Sequence, residues 1–227
     1  MFYDSCGIII GGSDKHMRMR KKPNLIPRME QCSAIQIKTP EELRGKWAEA
    51  FPGYDTLELE LGCGKGKFTA GTAAANPHSF LVAVERVPDA MVVAMERCTA
   101  LGLENIRFID MDAVRLPEIF APGEVSRIYI NFPDPWRKTK QFKRRLTAPS
   151  FLNIYKQLLP EGGEIHFKSD NNPLFEWSVE QFHTNGWTLR EVTRNLHENG
   201  PVGIMTDYET KFYEQGVTIN RLVAIRP

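Results

Sequence analysis

The segment after the first β-rich run carries glycines in a pattern that suits a nucleoside ligand. Residues 57–68 read LELELGCGKGKF, a strand pattern that passes through Gly62, Gly64 and Gly66 into a helix. Glycines in such a turn let the chain reverse sharply and let a ligand approach the main chain. A dinucleotide fingerprint would need a third glycine where Lys67 stands, and the Lys-Ser/Thr of a Walker A loop is absent.

Glu85 ends the second β-rich run, 23 residues after Gly62. A carboxylate at this position can accept both hydroxyls of an adenosine ribose that lies across the strand ends of an open α/β sheet. A glycine turn and a ribose acid without phosphate-binding spacing favour a nucleoside cofactor that carries no phosphate. S-adenosylmethionine is the obvious candidate.

Two further acids fit the same cofactor but have plainer interpretations. Glu60 can meet the ammonium or sulfonium side of the cofactor, or Glu58 and Glu60 could line the solvated face of an edge strand. Asp112, after the third run, is placed for the adenine amino group. It could equally be the N-cap of a helix that begins at Ala113.

Residues 131–136, NFPDPW, follow the fourth β-rich run. Two prolines flank Asp134 and stiffen the turn, at the place where the reactive group of the cofactor would point. A rigid carboxylate beside a sulfonium is a candidate catalytic group. A purely structural turn is the alternative.

Six cations and no acid occupy residues 137–145, here called the basic segment. A charge run of this kind is either a solvated face or a surface that contacts nucleic-acid phosphates without reading sequence. Residues 15–28 hold six more Lys or Arg and no acid, and could extend the same surface.

Short β-rich runs alternate with helical ones along the chain, which indicates βαβ crossovers. We therefore predict an α/β protein with a Rossmann-like, doubly wound fold: a mostly parallel seven-stranded sheet with helices on both faces. The predicted strands are 57–61, 79–85, 106–111, 127–132, 164–169, 187–196 and 218–225. The predicted helices are 66–75, 88–101, a short one to about 120, 147–159, 173–185 and 206–215.

The chain divides into three predicted parts. Residues 1–16 lack periodicity and read as a disordered extension or a start-site artefact. Residues 17–46 form a basic arm and lead-in, and residues 47–227 form a single domain.

Composition excludes several classes of protein. With 227 residues, 42% hydrophobic and 25% charged, the chain is globular rather than fibrous or disordered. It has no apolar run of membrane-spanning length, and the histidines lack metal-ligand spacing. The cysteines form no CxxC pair, so we expect no metal and free thiols in a reducing cytoplasm; they are Cys6, Cys32, Cys63 and Cys98. We also expect the protein to be soluble and monomeric.

From Met17 onward the sequence resembles the bacterial tRNA (guanine-N7)-methyltransferases, a class I family that uses S-adenosylmethionine. The motifs that carry the resemblance are RGKW (44–47), ELGCGKG (60–66), NFPDPW (131–136), Lys138, KRRL (143–146), HFKSDN (166–171) and TDYETKF (206–212). The resemblance implies methyl transfer to N7 of a guanine in the variable loop of tRNA, with tRNA as the partner.

The resemblance also implies roles for individual residues, with Asp134 at the catalytic position. The expected cofactor-binding residues are Glu60, Gly62, Gly64, Gly66, Glu85, Asp112, Ala113, Asn131 and Asp134. The expected substrate-binding residues are Lys138, Asp170, Thr206, Asp207, Tyr208 and Glu209. Lys143, Arg144 and Arg145 are expected to bind RNA phosphate.

Plainer interpretations accompany the substrate residues as well. Thr206 and Glu209 form a T-x-x-E capping box, a role that can coexist with substrate contact. Asp170 could cap the following helix. Three other classes also remain: a methyltransferase of another RNA or protein amino group, a nicotinamide dehydrogenase, and a non-catalytic RNA-binding module.

Overall fold

The computed structural model describes residues 22–227, so the expectations for residues 1–16 and for the first part of the basic arm lie outside the described residues. Seven strands form one sheet in the order β3-β2-β1-β4-β5-β7-β6. β1 to β5 are parallel, whereas β7 runs antiparallel to both β5 and β6. The predicted fold is confirmed. The strands are β1 (Thr56–Leu61), β2 (Ser79–Glu85), β3 (Ile106–Asp110), β4 (Arg127–Asn131), β5 (Glu164–Ser169), β6 (Thr188–Thr193) and β7 (Asn220–Ile225).

The helices connect these strands close to the predicted places. Proline lies in the first turn of α4, α6 and α7. A backbone N–H there has no acceptor within the helix, so its absence from proline costs no hydrogen bond. The helices are α1 (Leu25–Gln31), α2 (Trp47–Ala50), α3 (Lys67–Ala75), α4 (Pro88–Ala100), α5 (Leu116–Ile119), α6 (Pro149–Leu158), α7 (Asn172–Thr184) and α8 (Asp207–Glu214).

β1 lies in the middle of the sheet, between β2 and β4, with a core on each face. Leu59 and Leu61 face the larger core, which also contains residues of α6 and α7. Glu58 and Glu60 alternate with them and point to the opposite face, yet they are only 5% and 1% exposed. The interpretation as a solvated edge strand is therefore wrong.

The strand order reverses between β1 and β4. From β1 the chain continues outward to β2 and β3, and from β4 it continues outward on the other side to β5. In an open α/β sheet, this reversal leaves a crevice at the carboxyl ends of the strands, where ligands bind. The glycine turn, Glu85, the NFPDPW loop and Asp170 all lie at the carboxyl ends of strands on this edge.

Residues 22–46 lie against the domain. The Arg28 guanidinium donates to both Glu96 oxygens at 2.6 Å, which fixes α1 against α4. Ile37 N donates to Phe108 O at 2.9 Å, so the chain adds briefly to the edge strand β3. Within residues 22–227 there is no helix long and apolar enough to cross a membrane.

Candidate active site

The glycines of the turn after β1 serve two different purposes. All three have positive φ, at 78° for Gly62, 57° for Gly64 and 76° for Gly66. A Cβ on Gly66 would lie 2.5 Å from the Cβ of Ala94, so this glycine lets α3 pack against α4. A Cβ on Gly62 or Gly64 would meet nothing within 4 Å. The backbone there is open to a ligand.

Glu60 is a buried carboxylate at the end of β1. Its Oε2 accepts a hydrogen bond from the Thr69 hydroxyl of α3 at 2.6 Å. Burial raises the pKa of Glu60 to about 7, against the opposing effects of Thr69, Asn131 and the more distant Lys168 ammonium. At neutral pH the carboxyl group is therefore only partly ionised, and a cation placed beside it would favour the ionised form.

Asn131 ends β4 beside Glu60. Its side-chain Nδ2 is buried, and the Asn131 side chain lowers the pKa of the neighbouring Glu60 carboxyl group. Buried amide groups are normally paired in folded proteins. This amide therefore favours the ionised form of Glu60.

Glu85 and Asp112 hold backbone turns at neighbouring strand ends. Glu85 accepts from Gly64 N and from Val87 N, both at 3.0 Å, so its carboxylate ties the glycine turn to the end of β2. Burial raises the pKa of Glu85, while these N–H donors oppose the rise. Asp112 accepts from Val114 N at 3.1 Å and caps the short turn that begins at Ala113. The capping interpretation of Asp112 is confirmed.

Asp134 lies at the surface of a strained loop, residues 132–136, here called the Asp134 loop. Phe132 and Trp136, two residues on either side of Asp134, have φ of 52° and 41°, which bulky residues rarely adopt. The change to positive φ at Phe132 also ends β4 one residue earlier than predicted. The Asp134 side chain is 47% exposed and pairs with Arg86 at 3.1 Å.

Arg86 was not identified from the sequence. Besides its pairing with Asp134, its guanidinium lies 5.9 Å from the centroid of the Trp136 ring. Its position directly after Glu85, at the end of a central strand, is the signal that could have found it.

The basic segment divides into exposed and buried cations. Lys138, Lys143 and Arg144 are exposed, and the Arg144 guanidinium lies over the Trp136 ring at 5.1 Å. Arg145 is different, because only 5% of this residue is exposed and its Nε donates to Pro135 O at 2.9 Å. The expectation that Arg145 binds RNA phosphate is corrected, since its guanidinium is turned into the protein.

The TDYE stretch forms the first turn of α8, where both bonds of the capping box are present. Glu209 N donates to the Thr206 hydroxyl at 2.9 Å, and Thr206 N donates to Glu209 Oε2 at 3.2 Å. The capping interpretation is confirmed. Glu209 itself is 0% exposed and lies beneath the helix, whereas Asp207 and Tyr208 are exposed.

Lys168, at the end of β5, is the partner of Glu209 and was not identified from the sequence. Its ammonium donates to both Glu209 oxygens, at 2.9 and 3.1 Å, and to Ile204 O at 3.2 Å. His197 Nε2 lies 3.1 Å from Glu209 Oε1. Because both Glu209 oxygens are engaged inside the protein, this carboxylate holds α8 rather than facing a substrate.

Asp170 follows β5 and is exposed. Its pKa is raised by the partial desolvation of its carboxyl group. Asn171, not Asp170, caps α7 by accepting from Leu174 N at 2.9 Å, so the interpretation of Asp170 as a cap is wrong. Within residues 22–227, no cluster of three or more His, Cys, Asp or Glu side chains could hold a metal.

Comparison with known proteins gives a consistent picture. Residues 55–222 match the family model Methyltransf_4, described as "Putative methyltransferase". A curated tRNA (guanine-N(7)-)-methyltransferase of Listeria monocytogenes serotype 4b (strain F2365) is 43% identical over 209 residues, which are 92% of this chain and 98% of the relative. The protein of the same name from Streptococcus suis (strain 05ZYH33) is 41% identical, over 92% of this chain and 99% of the relative.

Solved structures share the fold at lower identity. The 16S rRNA methyltransferase KamB superposes with a TM-score of 0.62 at 19% identity, over 81% of this chain and 94% of that chain. A SAM-dependent methyltransferase from Aquifex aeolicus superposes with a TM-score of 0.53 at 16% identity, over 87% of this chain and 98% of that chain.

The close approach of Gly66 to α4 can be tested against a glycine of the same backbone conformation. Gly66→Ala adds a Cβ 2.5 Å from Ala94, whereas Gly102, at φ 64°, has open space around it. We expect both alanines to lower the free energy of unfolding by about 1 kcal/mol through backbone strain, and Gly66→Ala to lower it by a further ~1–3 kcal/mol through overpacking. Urea unfolding measures both, and equal losses would contradict the packing role.

The buried pair of Lys168 and Glu209 can be compared with the more exposed pair of Arg97 and Asp207, which lie 3.1 Å apart and whose acid is on the same helix as Glu209. Lys168→Met leaves the Glu209 carboxylate buried without its cation, and we expect a loss of about 3–5 kcal/mol in unfolding free energy. For Arg97→Met, whose pair is partly exposed, we expect less than about 1 kcal/mol. Similar losses in urea unfolding would show that the buried pair contributes no more than the more exposed one.

Proposed function

The chain belongs to the tRNA (guanine-N7)-methyltransferase family, and from this premise we propose that it transfers the methyl group of S-adenosylmethionine to N7 of a guanine in the variable loop of tRNA. One observation supports the assignment above all. An open glycine turn beside Glu85 and a strained loop that carries Asp134 meet at one edge of the sheet, with exposed cations directly after that loop.

S-adenosylmethionine is the cofactor, and the residues at the edge of the sheet fit it. Gly62 and Gly64 leave the main chain open. The carboxylate of Glu85 at the end of β2 supports hydrogen bonds to the ribose hydroxyls, and Asn131 at the end of β4 acts on the neighbouring Glu60. The raised pKa of the buried Glu60 supports a contact with the cationic part of the cofactor, because a neighbouring positive charge would favour the ionised carboxylate. When bound, the cofactor supplies the methyl group on a sulfonium.

The reaction demands alignment more than proton transfer. Guanine N7 carries a lone pair and no proton, so the protein mainly has to hold the base in line with the methyl group and shield it from water. Methylation leaves a cationic ring. A fixed carboxylate at Asp134 or Asp170 can stabilise the developing charge, or can accept from the N1 and N2 donors of the guanine.

The form of the substrate follows from RNA geometry. N7 lies in the major groove, which is too deep and narrow in A-form RNA for side chains to reach. The target must therefore lie in an irregular part, as a variable-loop guanine does. Exposed Lys138, Lys143 and Arg144 support phosphate contacts, and exposed Asp207 and Tyr208 support contacts from α8.

Methyl-transfer assays test the function. The purified chain would be incubated with methyl-labelled S-adenosylmethionine and bulk tRNA that lacks modification, and the digested nucleosides would be separated. We expect label in 7-methylguanosine. Label on an amino group, or no transfer to RNA by the folded protein, would overturn the proposal.

We also propose that the chain acts as a monomer in the cytoplasm, where tRNA is available. The exposed positions of Asp134 and of the cations after it support action without a second subunit. Light scattering during size-exclusion chromatography should give the mass of one chain. A stable dimer would contradict this part of the proposal.

Asp134→Ala tests the carboxylate at the catalytic position. Because Asp134 is at the surface, the substitution should leave the melting temperature almost unchanged. We expect turnover to fall by about a hundredfold or more, since a preorganised electrostatic partner is lost. Asp55→Ala, an exposed acid before β1 at the opposite edge of the sheet, is the control and should keep normal turnover. Normal turnover in Asp134→Ala would refute the assignment.

The pKa of Glu60 predicts the pH dependence of cofactor affinity. The free protein holds a proton on Glu60 below about pH 7, and a bound cation favours the ionised form, so binding releases this proton. Affinity should therefore rise as pH rises through 7, by about tenfold between pH 6 and pH 8. In Glu60→Gln this rise should disappear, while titration of the cofactor's own amino group is common to both proteins. Calorimetric titrations that give identical pH profiles would place the cation elsewhere.

A further inference from the structure

We infer that Arg145 is a positioning residue that holds the Asp134 loop in its strained conformation, rather than a contact to RNA phosphate. The inference builds on the proposed methyl transfer and assigns a task to a side chain within the basic segment. Arg145 is the last cation of this segment, and its side chain turns back under the Asp134 loop to Pro135.

The Arg145 guanidinium is enclosed by aromatic rings. It lies 3.5 Å from the centroid of the Phe142 ring and 4.5 Å from that of Trp177 on α7. The two rings meet edge to face at 5.7 Å. Burial lowers the pKa of Arg145, and no carboxylate among the described residues acts on it. Two ring faces and one carbonyl group thus fix the plane of this guanidinium.

The carbonyl group it binds belongs to the residue directly after Asp134. Arg145 Nε donates to Pro135 O at 2.9 Å. This bond fixes the peptide group between Pro135 and Trp136, where the chain enters the left-handed conformation at φ 41°. A residue in this conformation persists only where its surroundings hold it. Arg145 supplies such a hold on the carboxyl side of Asp134.

A second contact holds the other side of the loop. Phe132, at φ 52°, donates its N–H to Lys168 O at 2.9 Å. The Asp134 carboxylate thus projects from a short bridge between two fixed points, one on β5 and one on Arg145. Loss of the second point would let the carboxylate shift, and small misplacements of a reacting geometry reduce rate strongly.

The hydrogen bond from Arg145 to Pro135 also brings the end of the basic segment back to the Asp134 loop, directly after which the segment begins. Between the two residues the chain forms a short 3-10 helix, Thr139–Arg144, whose exposed cations include Lys143. A phosphate contact and a positioning residue therefore lie two positions apart. They differ in burial and in the atoms they meet, and this difference allows a matched experiment.

Arg145→Lys and Lys143→Ala form the matched pair. Lysine keeps the positive charge but lacks the planar fork that stacks between rings and directs Nε to the carbonyl group. We expect Arg145→Lys to lower kcat at saturating tRNA and cofactor on the order of tenfold or more, with an unchanged salt dependence of tRNA binding. We expect Lys143→Ala to flatten the log-log salt dependence of tRNA binding by about 0.7–0.9.

Phe142→Leu is a second variant, which tests the same positioning role if Arg145→Lys does not fold. It removes one wall of the aromatic enclosure and keeps Arg145, so kcat should fall again with the salt dependence unchanged. If Arg145→Lys keeps the kcat of the original protein, or loses only tRNA affinity with a flatter salt dependence, the positioning role is wrong. If the original protein transfers no methyl group to tRNA, the proposed function fails instead, and the two failures are distinguishable.

Discussion

The burial of one carboxylate governs the arrangement of the site. Glu60 stands on a strand that must be covered on both faces, at the point where the strand order reverses, and is 1% exposed. A buried acid has to find hydrogen bonds, give up its charge or meet a cation. Thr69 provides one hydrogen bond, and burial raises the pKa to about 7. A cation beside Glu60 would favour its ionised form, and in the proposed function the sulfonium amino acid of the cofactor is that cation.

Charge around the first turn of α8 is arranged in two layers. The inner layer is the pair of Lys168 and Glu209, which is nearly inaccessible to water and joins the end of β5 to α8. The outer layer consists of exposed groups such as Asp207 and Tyr208 on the same helix turn. The Lys168 ammonium also lowers the pKa of Glu60, so one cation acts on carboxylates of both β1 and α8.

The central strands were predictable because buried parallel strands consist mostly of apolar residues. β2 reads SFLVAVE and is buried at six of seven positions, as a central parallel strand should be. The end of β6 was not predictable. Glu191 takes a φ of 51°, and the register with β7 shifts between Arg190 and Thr193, although the sequence there continues a strand pattern.

The placement of candidate site residues was predictable where it depends on the strand end alone, as for Glu60, Glu85 and Asp134. It was not predictable where a role depends on packing between distant segments. Arg144 and Arg145 are adjacent and chemically identical, but Arg145 packs against Phe142 and Trp177 and is buried, whereas Arg144 stays exposed. The glutamate of a capping box likewise gives no sign that a lysine 41 residues earlier will neutralise it.

A crystal structure with S-adenosylhomocysteine, the product of methyl transfer, would test the placement of the cofactor most directly. We expect its ribose hydroxyls on Glu85, its main-chain contacts at Gly62 and Gly64, its amino group beside Glu60, and its sulfur facing the Asp134 loop. Density for the ligand at another edge of the sheet, or a sulfur turned away from Asp134, would contradict the assignment of the site.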